Sequence, residues 1–404
     1  MDSLKRFGVV LGGIFLITNS ANAASDEQRA RDNEMLIMDA AQQEWVLTRN
    51  DWLTFDPIAM IQFRYVADVQ DQLDGQREKT LGFENSRTRL GLKAKLEEHN
   101  IDLFVWTGHT GIGASLLLDA WANWKADENF SLKVGQFKLP IWNEWTVSET
   151  KQTFVERSVL DARFAPHYAQ GIMGTWRDDT ISLSAVFSDG MRGWNRFFPG
   201  DIWAVTGRFD WLIQGDWSQR ADFNSFRDES PFTVLGIAGH FQDGGTLAGS
   251  GGTNIYTNDT RITQVTADFQ WGFSGASIYA AVIGNYEESP GALEYHQFGA
   301  LLQGQVFVTD DIELFARYEF GDLDGQAAAF SIANPGATTN EELAVLTVGA
   351  TKFIAGHALK VTGDLGFSFD EVSGAWAGTR RGWQGDDAGA GAQVVFRAQI
   401  QALF

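Results

Sequence analysis

The chain has 404 residues, a formal net charge of −21 and no cysteine. So acidic a protein repels nucleic-acid phosphates, which argues against a nucleic-acid partner, and without cysteine no disulfide scaffold is open to it. The 43 glycines, 15 tryptophans and 30 phenylalanines are unusual for an acidic soluble protein, and suit short turns with aromatic girdles at two membrane interfaces.

At the amino-terminal end, Lys5 and Arg6 precede an apolar run from Phe7 to Thr18, followed by Ser20-Ala21-Asn22-Ala23. A basic start, a short apolar core and a small-residue site predict a secretory signal peptide over 1–23, cleaved after Ala23 and too short to anchor. Beyond it no run of about 18 apolar residues follows, so no membrane-spanning helix is expected. A barrel wall needs none, because only every second residue of its strands is apolar. Residues 24–55 are expected to form a periplasmic segment. Within it Ser25–Trp45 places Met35, Met38, Gln42 and Trp45 on one side of a short helix, which reads as a trimer-forming coil or as an arm without fixed structure.

From residue 56 to 404 the pattern is strand after strand, read from alternation and turn residues. Sixteen strands are expected, at 59–68, 82–96, 100–108, 115–125, 130–138, 168–178, 180–188, 201–211, 231–242, 260–271, 276–286, 295–308, 311–321, 342–354, 358–369 and 391–404. Short turns at Glu97–His99, Ala126–Asn129, Asp179, Gly272–Gly275, Thr309-Asp310 and Ala355–His357 alternate with long connections at 69–81, 139–167, 189–200, 243–259, 322–341 and 370–390. The connection at 287–294 is intermediate; Leu212–Ser230 is long where a turn belongs, and 109–114 is short where a longer loop belongs. Such sorting of loops predicts an all-β, 16-stranded antiparallel transmembrane barrel with short periplasmic turns and long outer loops.

The faces of the strands support this. Trp203, Val205, Phe209 and Trp211 alternate with Thr206, Arg208 and Asp210; Val265, Ala267, Phe269 and Trp271 alternate with Gln264, Thr266, Asp268 and Gln270. The final strand sets Val394, Phe396, Ala398, Ile400, Ala402 and Phe404 against Gln393, Arg397, Gln399 and Gln401, and closes on an aromatic residue. Sixteen strands enclose more space than side chains fill, so an aqueous channel is expected.

The run Leu118-Asp119-Ala120-Trp121-Ala122-Asn123-Trp124, then Leu132-Lys133-Val134-Gly135-Gln136-Phe137-Lys138-Leu139-Pro140, resembles the phosphate-selective porin O and P family. Thr153-Phe154-Val155-Glu156-Arg157-Ser158, Arg163-Phe164-Ala165-Pro166 and Leu314-Phe315-Ala316-Arg317-Tyr318-Glu319 resemble it too. The resemblance implies a homotrimeric outer-membrane porin whose third long loop, here Leu139–His167, folds inward as a constriction. Glu149, Lys151, Glu156, Arg157 and Arg163 are its candidate functional residues; Glu156 and Arg157 read equally as pins that hold the loop to the wall.

Selectivity turns on the lumenal faces rather than on the whole chain. Arg87, Arg89, Lys93 and Lys95 share one face of strand 82–96, and Lys133, Arg317 and Lys360 join them as candidate pore-lining residues. With Arg64, Lys125, Arg208 and Arg397 the expected lumenal faces carry eleven basic residues. Asp68, Asp102, Asp119, Asp210, Asp268, Glu313, Glu319 and Asp364 supply eight acids. Low-dielectric walls focus the field of an uncompensated basic row, so a weak anion preference is expected, with phosphate the solute that the resemblance implies. The alternative is a barrel enzyme or surface-structural protein with a closed lumen. Catalysis finds little support: the six histidines form no H-E-x-x-H, and no G-x-S-x-G elbow or P-loop occurs. No cofactor or resident metal is expected. The expected surroundings are outer-membrane lipid and lipopolysaccharide, whose divalent cations the acidic pairs Glu341-Glu342 and Asp386-Asp387 suit if they are more than solvated tips.

Overall fold

The computed structural model describes residues 48–49, 52–71, 77–109, 115–193, 202–244, 261–289, 293–325, 334–376 and 382–404. The expected signal peptide at 1–23 and the segment at 25–45 lie outside the described residues. Every expected strand is present. In chain order the wall consists of β1 (Leu53–Asp71), β2 (Arg77–Leu96), β3 (Ile101–His109) and β4 (Ser115–Lys125). There follow β5 (Phe130–Lys138), β6 (Tyr168–Arg177), β7 (Ile181–Ser188) and β8 (Trp203–Gln214). Next come β9 (Phe232–Asp243), β10 (Arg261–Phe273), β11 (Ala276–Ser289) and β12 (Leu293–Phe307). The last four are β13 (Ile312–Asp322), β14 (Glu342–Ala355), β15 (Leu359–Ser368) and β16 (Gln393–Leu403).

Each strand pairs antiparallel with the next, and β16 pairs with β1 from Gln393↔Gln70 to Leu403↔Met60, so the sheet closes on itself. Closure leaves no unpaired edge, the condition a sheet must meet in hydrocarbon. Among the described residues no helix is long and apolar enough to cross a membrane. A short piece, Thr48–Arg49, pairs with Phe55 and Thr54 at the start of β1.

Alternation places the apolar side chains outward as expected. Trp203, Val205 and Trp211 are exposed, while Thr206 and Arg208 are buried; Val265 is exposed, while Gln264, Thr266, Asp268 and Gln270 are buried. Trp52, Trp124, Trp176, Trp211 and Phe404 are all exposed toward the short-turn ends of their strands, as a girdle requires.

Two hairpins run longer than the sequence suggests. β1 and β2 stay paired up to Asp71↔Arg77, so most of the long connection expected at 69–81 is ladder. Likewise β11 and β12 stay paired up to Ser289↔Leu293, which shortens the connection expected at 287–294. Polar residues on both faces of a hairpin that projects beyond the apolar band hide the alternation. A bulge between Gln62 and Phe63 also flips the faces of β2: Phe83 and Leu81 point outward below it and Leu90 above it, which turns Glu84 toward Arg64.

Two connections are not surface loops. Residues 139–167 form α1 (Asn143–Thr146), a 3₁₀ turn at Glu149–Lys151 and α2 (Val159–Phe164). Residues 215–231, expected as over-long, join β8 to β9 and carry a 3₁₀ turn at Trp217–Ala221.

Candidate functional site: the lumen and its charged wall

The inward faces of the strands bear mostly polar residues, and residues 139–167 bond to them on many sides of the ring. The segment opens with Leu139, Ile141 and Trp142, all fully buried, and is knotted by Glu144, whose carboxylate accepts from Ser158 N at 2.7 Å. Arg157 ties the same knot from the other direction: Nε donates to the Glu144 carbonyl at 2.9 Å and Nη2 to the Val147 carbonyl at 2.7 Å, with the guanidinium 4.9 Å from the Trp145 ring. This explains the compact shape of a segment so poor in helix. Some of its internal amides and carbonyls are thus satisfied by its own side chains, and others by side chains of the wall.

The segment is then tied to the wall by charge. Glu156 bonds Arg64 of β1 and sits 2.7 Å from Arg87 of β2. Glu149 lies 2.9 Å from Arg89, 3.2 Å from Arg157 and 3.8 Å from Lys138. Burial alone raises the pKa of Glu149, but Arg89, Lys138, Arg157 and Arg87 together hold it well below the ordinary glutamate range. Two strands round the ring from β1, Val155 N donates to Asp364 of β15 at 3.0 Å, and Asp364 is held by Arg397 of the intervening β16 at 2.7 Å. Val159 N donates to Glu319 of β13 at 2.5 Å, and Arg163 donates to Gln297 of β12 at 2.9 Å. The strands make room for α2 with glycines: a Cβ on Gly299 would stand 2.9 Å from Leu160 Cδ2, and one on Gly321 3.0 Å from the same atom.

Beside the segment lies a cavity of about 880 Å³, lined by β1–β8, the last residues of β16, residues 140–151 and Arg220. Its cations are Lys93, Lys125, Lys133, Lys138, Lys151, Arg177, Arg208 and Arg220; its carboxylates are Asp119, Asp127, Glu128, Glu149 and Asp210. Eight cations and five carboxylates thus line it, while Asp102 and Asp222, just outside the lining, pair with Lys125 at 2.8 Å and Lys151 at 3.4 Å. Arg208 and Arg220 are matched by Asp210 and Asp268, with contacts from 2.6 to 3.1 Å. Lys93, Lys133 and Arg177 have no carboxylate within ion-pair distance among the described residues. Lys133 instead lies 4.3 Å from the Trp121 ring, and Arg177 lies 5.0 Å from that of Trp217.

A closed ring of sixteen two-faced strands around a charged lumen is a porin wall, and a family profile described as a putative beta-barrel porin-2, OmpL-like, matches residues 98–360. The chain belongs to this porin family. No curated protein matches it significantly. Among solved structures it is similar to an anion-selective porin from Comamonas acidovorans, at 13% identity and a TM-score of 0.57, over 87% of this chain and all (100%) of that one. OmpT of Vibrio cholerae in its trimer form is similar at 12% identity and a TM-score of 0.57, over 88% and 100%. OmpF of Salmonella typhi in complex with daunomycin is similar at 11% and 0.53, over 88% and 99%. At such identities the likeness is one of fold.

In this porin the residues singled out from sequence divide by partner. Arg87 and Arg89 meet the carboxylates of 139–167, Lys360 donates to the Gln152 carbonyl at 2.8 Å, and Arg317 donates to the Glu156 carbonyl at 3.2 Å. Lys93 and Lys133 line the cavity, and Lys95 bonds Glu97 at the rim. Within 139–167, Glu149 and Glu156 hold the wall, Arg157 holds the segment itself, Arg163 reaches β12, and Lys151 lies 3.4 Å from Asp222. Sequence reasoning missed Arg177, whose strand end gave no alternation to place it, and Lys138, read only as part of a motif. Asp386 is no solvated tip: it is buried, and its carboxylate accepts from Val372 N at 2.7 Å.

Proposed function

We propose that this porin forms a water-filled outer-membrane passage for small hydrophilic solutes, with a weak preference for anions, and that residues 139–167 are its constriction. The observation that carries the reading is the cavity wall, where cations outnumber carboxylates and Lys93, Lys133 and Arg177 stand unmatched by any carboxylate at ion-pair distance among the described residues. A low-dielectric wall focuses the field of such charges on a passing ion. The acidic whole-chain charge bears little on this, since a pore's field is set by the groups nearest the ion. The passage is passive, so no catalytic residue and no cofactor is assigned. A homotrimer embedded in lipid and lipopolysaccharide is the assembly proposed, by analogy with the trimer form of OmpT; phosphate is one of the anions it would pass, as the resemblance noted in the sequence implies.

Reversal potentials across planar bilayers in a KCl gradient test this. Chloride should be favoured over potassium, and Lys93→Glu with Lys133→Glu should weaken or invert the preference. Cation preference in the unmodified protein would overturn the anion reading, and absence of any conductance would favour the closed-lumen alternative.

A further inference from the structure

Among the described residues the other connections at the short-turn end are tight turns, yet β8 and β9 are joined there by residues 215–231. The sequence turns this stretch inward. A capping box at Asp216 starts its 3₁₀ turn, with Ser218 N donating to the Asp216 carboxylate at 2.8 Å and Asp216 N to Gln219 Oε1 at 2.9 Å. The chain then carries Phe223 and Asn224 into the lumen, where both are buried.

The anchoring is extensive. The Phe223 ring packs 4.6 Å from that of Tyr279 on β11, and its carbonyl accepts from Ser277 at 2.6 Å and from Gln305 on β12. Asn224 donates to both oxygens of Glu313 on β13, at 2.9 and 2.7 Å. Arg220 reaches Asp268 on β10 at 2.6 Å. Ser277, Tyr279, Gln305 and Glu313 alternate with Ile278, Leu302, Val306 and Leu314, which are exposed on the outer face, so the insert lies on the inner one. There it meets the segment 139–167: Asp222 lies 3.4 Å from Lys151, and Gln305, which bonds Phe223, also accepts from Thr153 at 3.4 Å. The cavity described above takes none of its lining from β9–β15.

We propose that residues 215–231 are a fixed half-plug. The plug fills the short-turn mouth beneath β10–β13 and, with 139–167, confines solutes to the wall that bears Lys93, Lys133 and Arg177. It is thus a specificity-determining element: it removes the part of the lumen where Asp268 and Glu313 would face a passing ion. The inference rests on the channel reading.

The test is a full-length variant in which residues 217–226 are replaced by a Gly-Ser turn, compared with the unmodified porin in planar bilayers. Conductance should rise about twofold as the open section widens, and the chloride preference should fall. Unchanged conductance and unchanged selectivity in a variant that still folds would overturn the half-plug, whereas an unmodified protein without conductance overturns the channel reading instead. Should the deletion fail to fold, the cysteine-free background allows a second measurement. A Cβ on Gly272 would stand 3.2 Å from Ser225 Cβ, near the separation a disulfide needs. Ser225→Cys with Gly272→Cys should cross-link on oxidation in liposomes and conduct equally before and after. Failure to cross-link, or a fall in conductance on locking, would show that the insert is elsewhere while ions pass.

Discussion

Glu156 holds two guanidiniums of different strands at once, Arg64 and Arg87, and it is 4% exposed. Removing one partner of a buried pair strands the other charge, at a cost of about 3–5 kcal/mol. Glu156→Gln should therefore lower the unfolding midpoint and make single-channel currents larger and noisier; quiet currents at the original level would show that the contact is dispensable. Glu149 carries the pH dependence. Its folded pKa is depressed, so its contribution is fully present above the ordinary glutamate value of 4.5 and is lost only as pH falls through the lower, folded one. Glu149 should accordingly contribute no step to conductance between pH 7 and about 5, and a step in that interval absent from Glu149→Gln would refute the assignment. Of this chemistry the sequence showed one side. Period-two alternation put Arg87 and Arg89 on the inner face, but their partners lie in a segment too irregular to place from pattern, and the Gln62/Phe63 bulge hid the inward turn of Glu84.

At the scale of elements, the strands were legible because each satisfies its own two-sided environment, and the segment 139–167 was legible only as a length and a mix of charges. Its path is set by bonds to Asp364, Glu319 and Gln297, far along the chain, which no local rule encodes. Its proposed role as a constriction makes a clear expectation. Deleting about ten residues around Glu149–Arg157 should raise conductance, because the stretch that spans from Arg89 to the β13 wall is then missing. Unchanged conductance would place the segment away from the ion path. The long connection at 215–231 shows the opposite lesson: its length broke the alternation of short and long loops, and that break marked a functional element.

For the whole molecule, the outer face sets the medium. Val282 is 53% exposed at the centre of β11, flanked across the ladder by Ala267 and Ala300. In a hydrocarbon band a Lys there costs about 2–4 kcal/mol, whereas in water it costs little. Val282→Lys should reduce folding stability in lipid by that amount and leave selectivity alone; a neutral substitution would mean that this face is wet or covered by protein. The closure of the ring has another consequence, for the order of events in folding. Gln62 of β1 donates to Gln401 of β16 at 2.8 Å, across 339 positions of chain. Among the described residues the ladder that seals the wall, between β1 and β16, is thus the least local contact. Until β16 has been made and delivered, β1 remains a bare template for strange strands, and so slow a topology leaves that hazard open for long. Copies cut short before β16 should therefore fail to close the wall, and limited proteolysis should digest them more readily than the full chain.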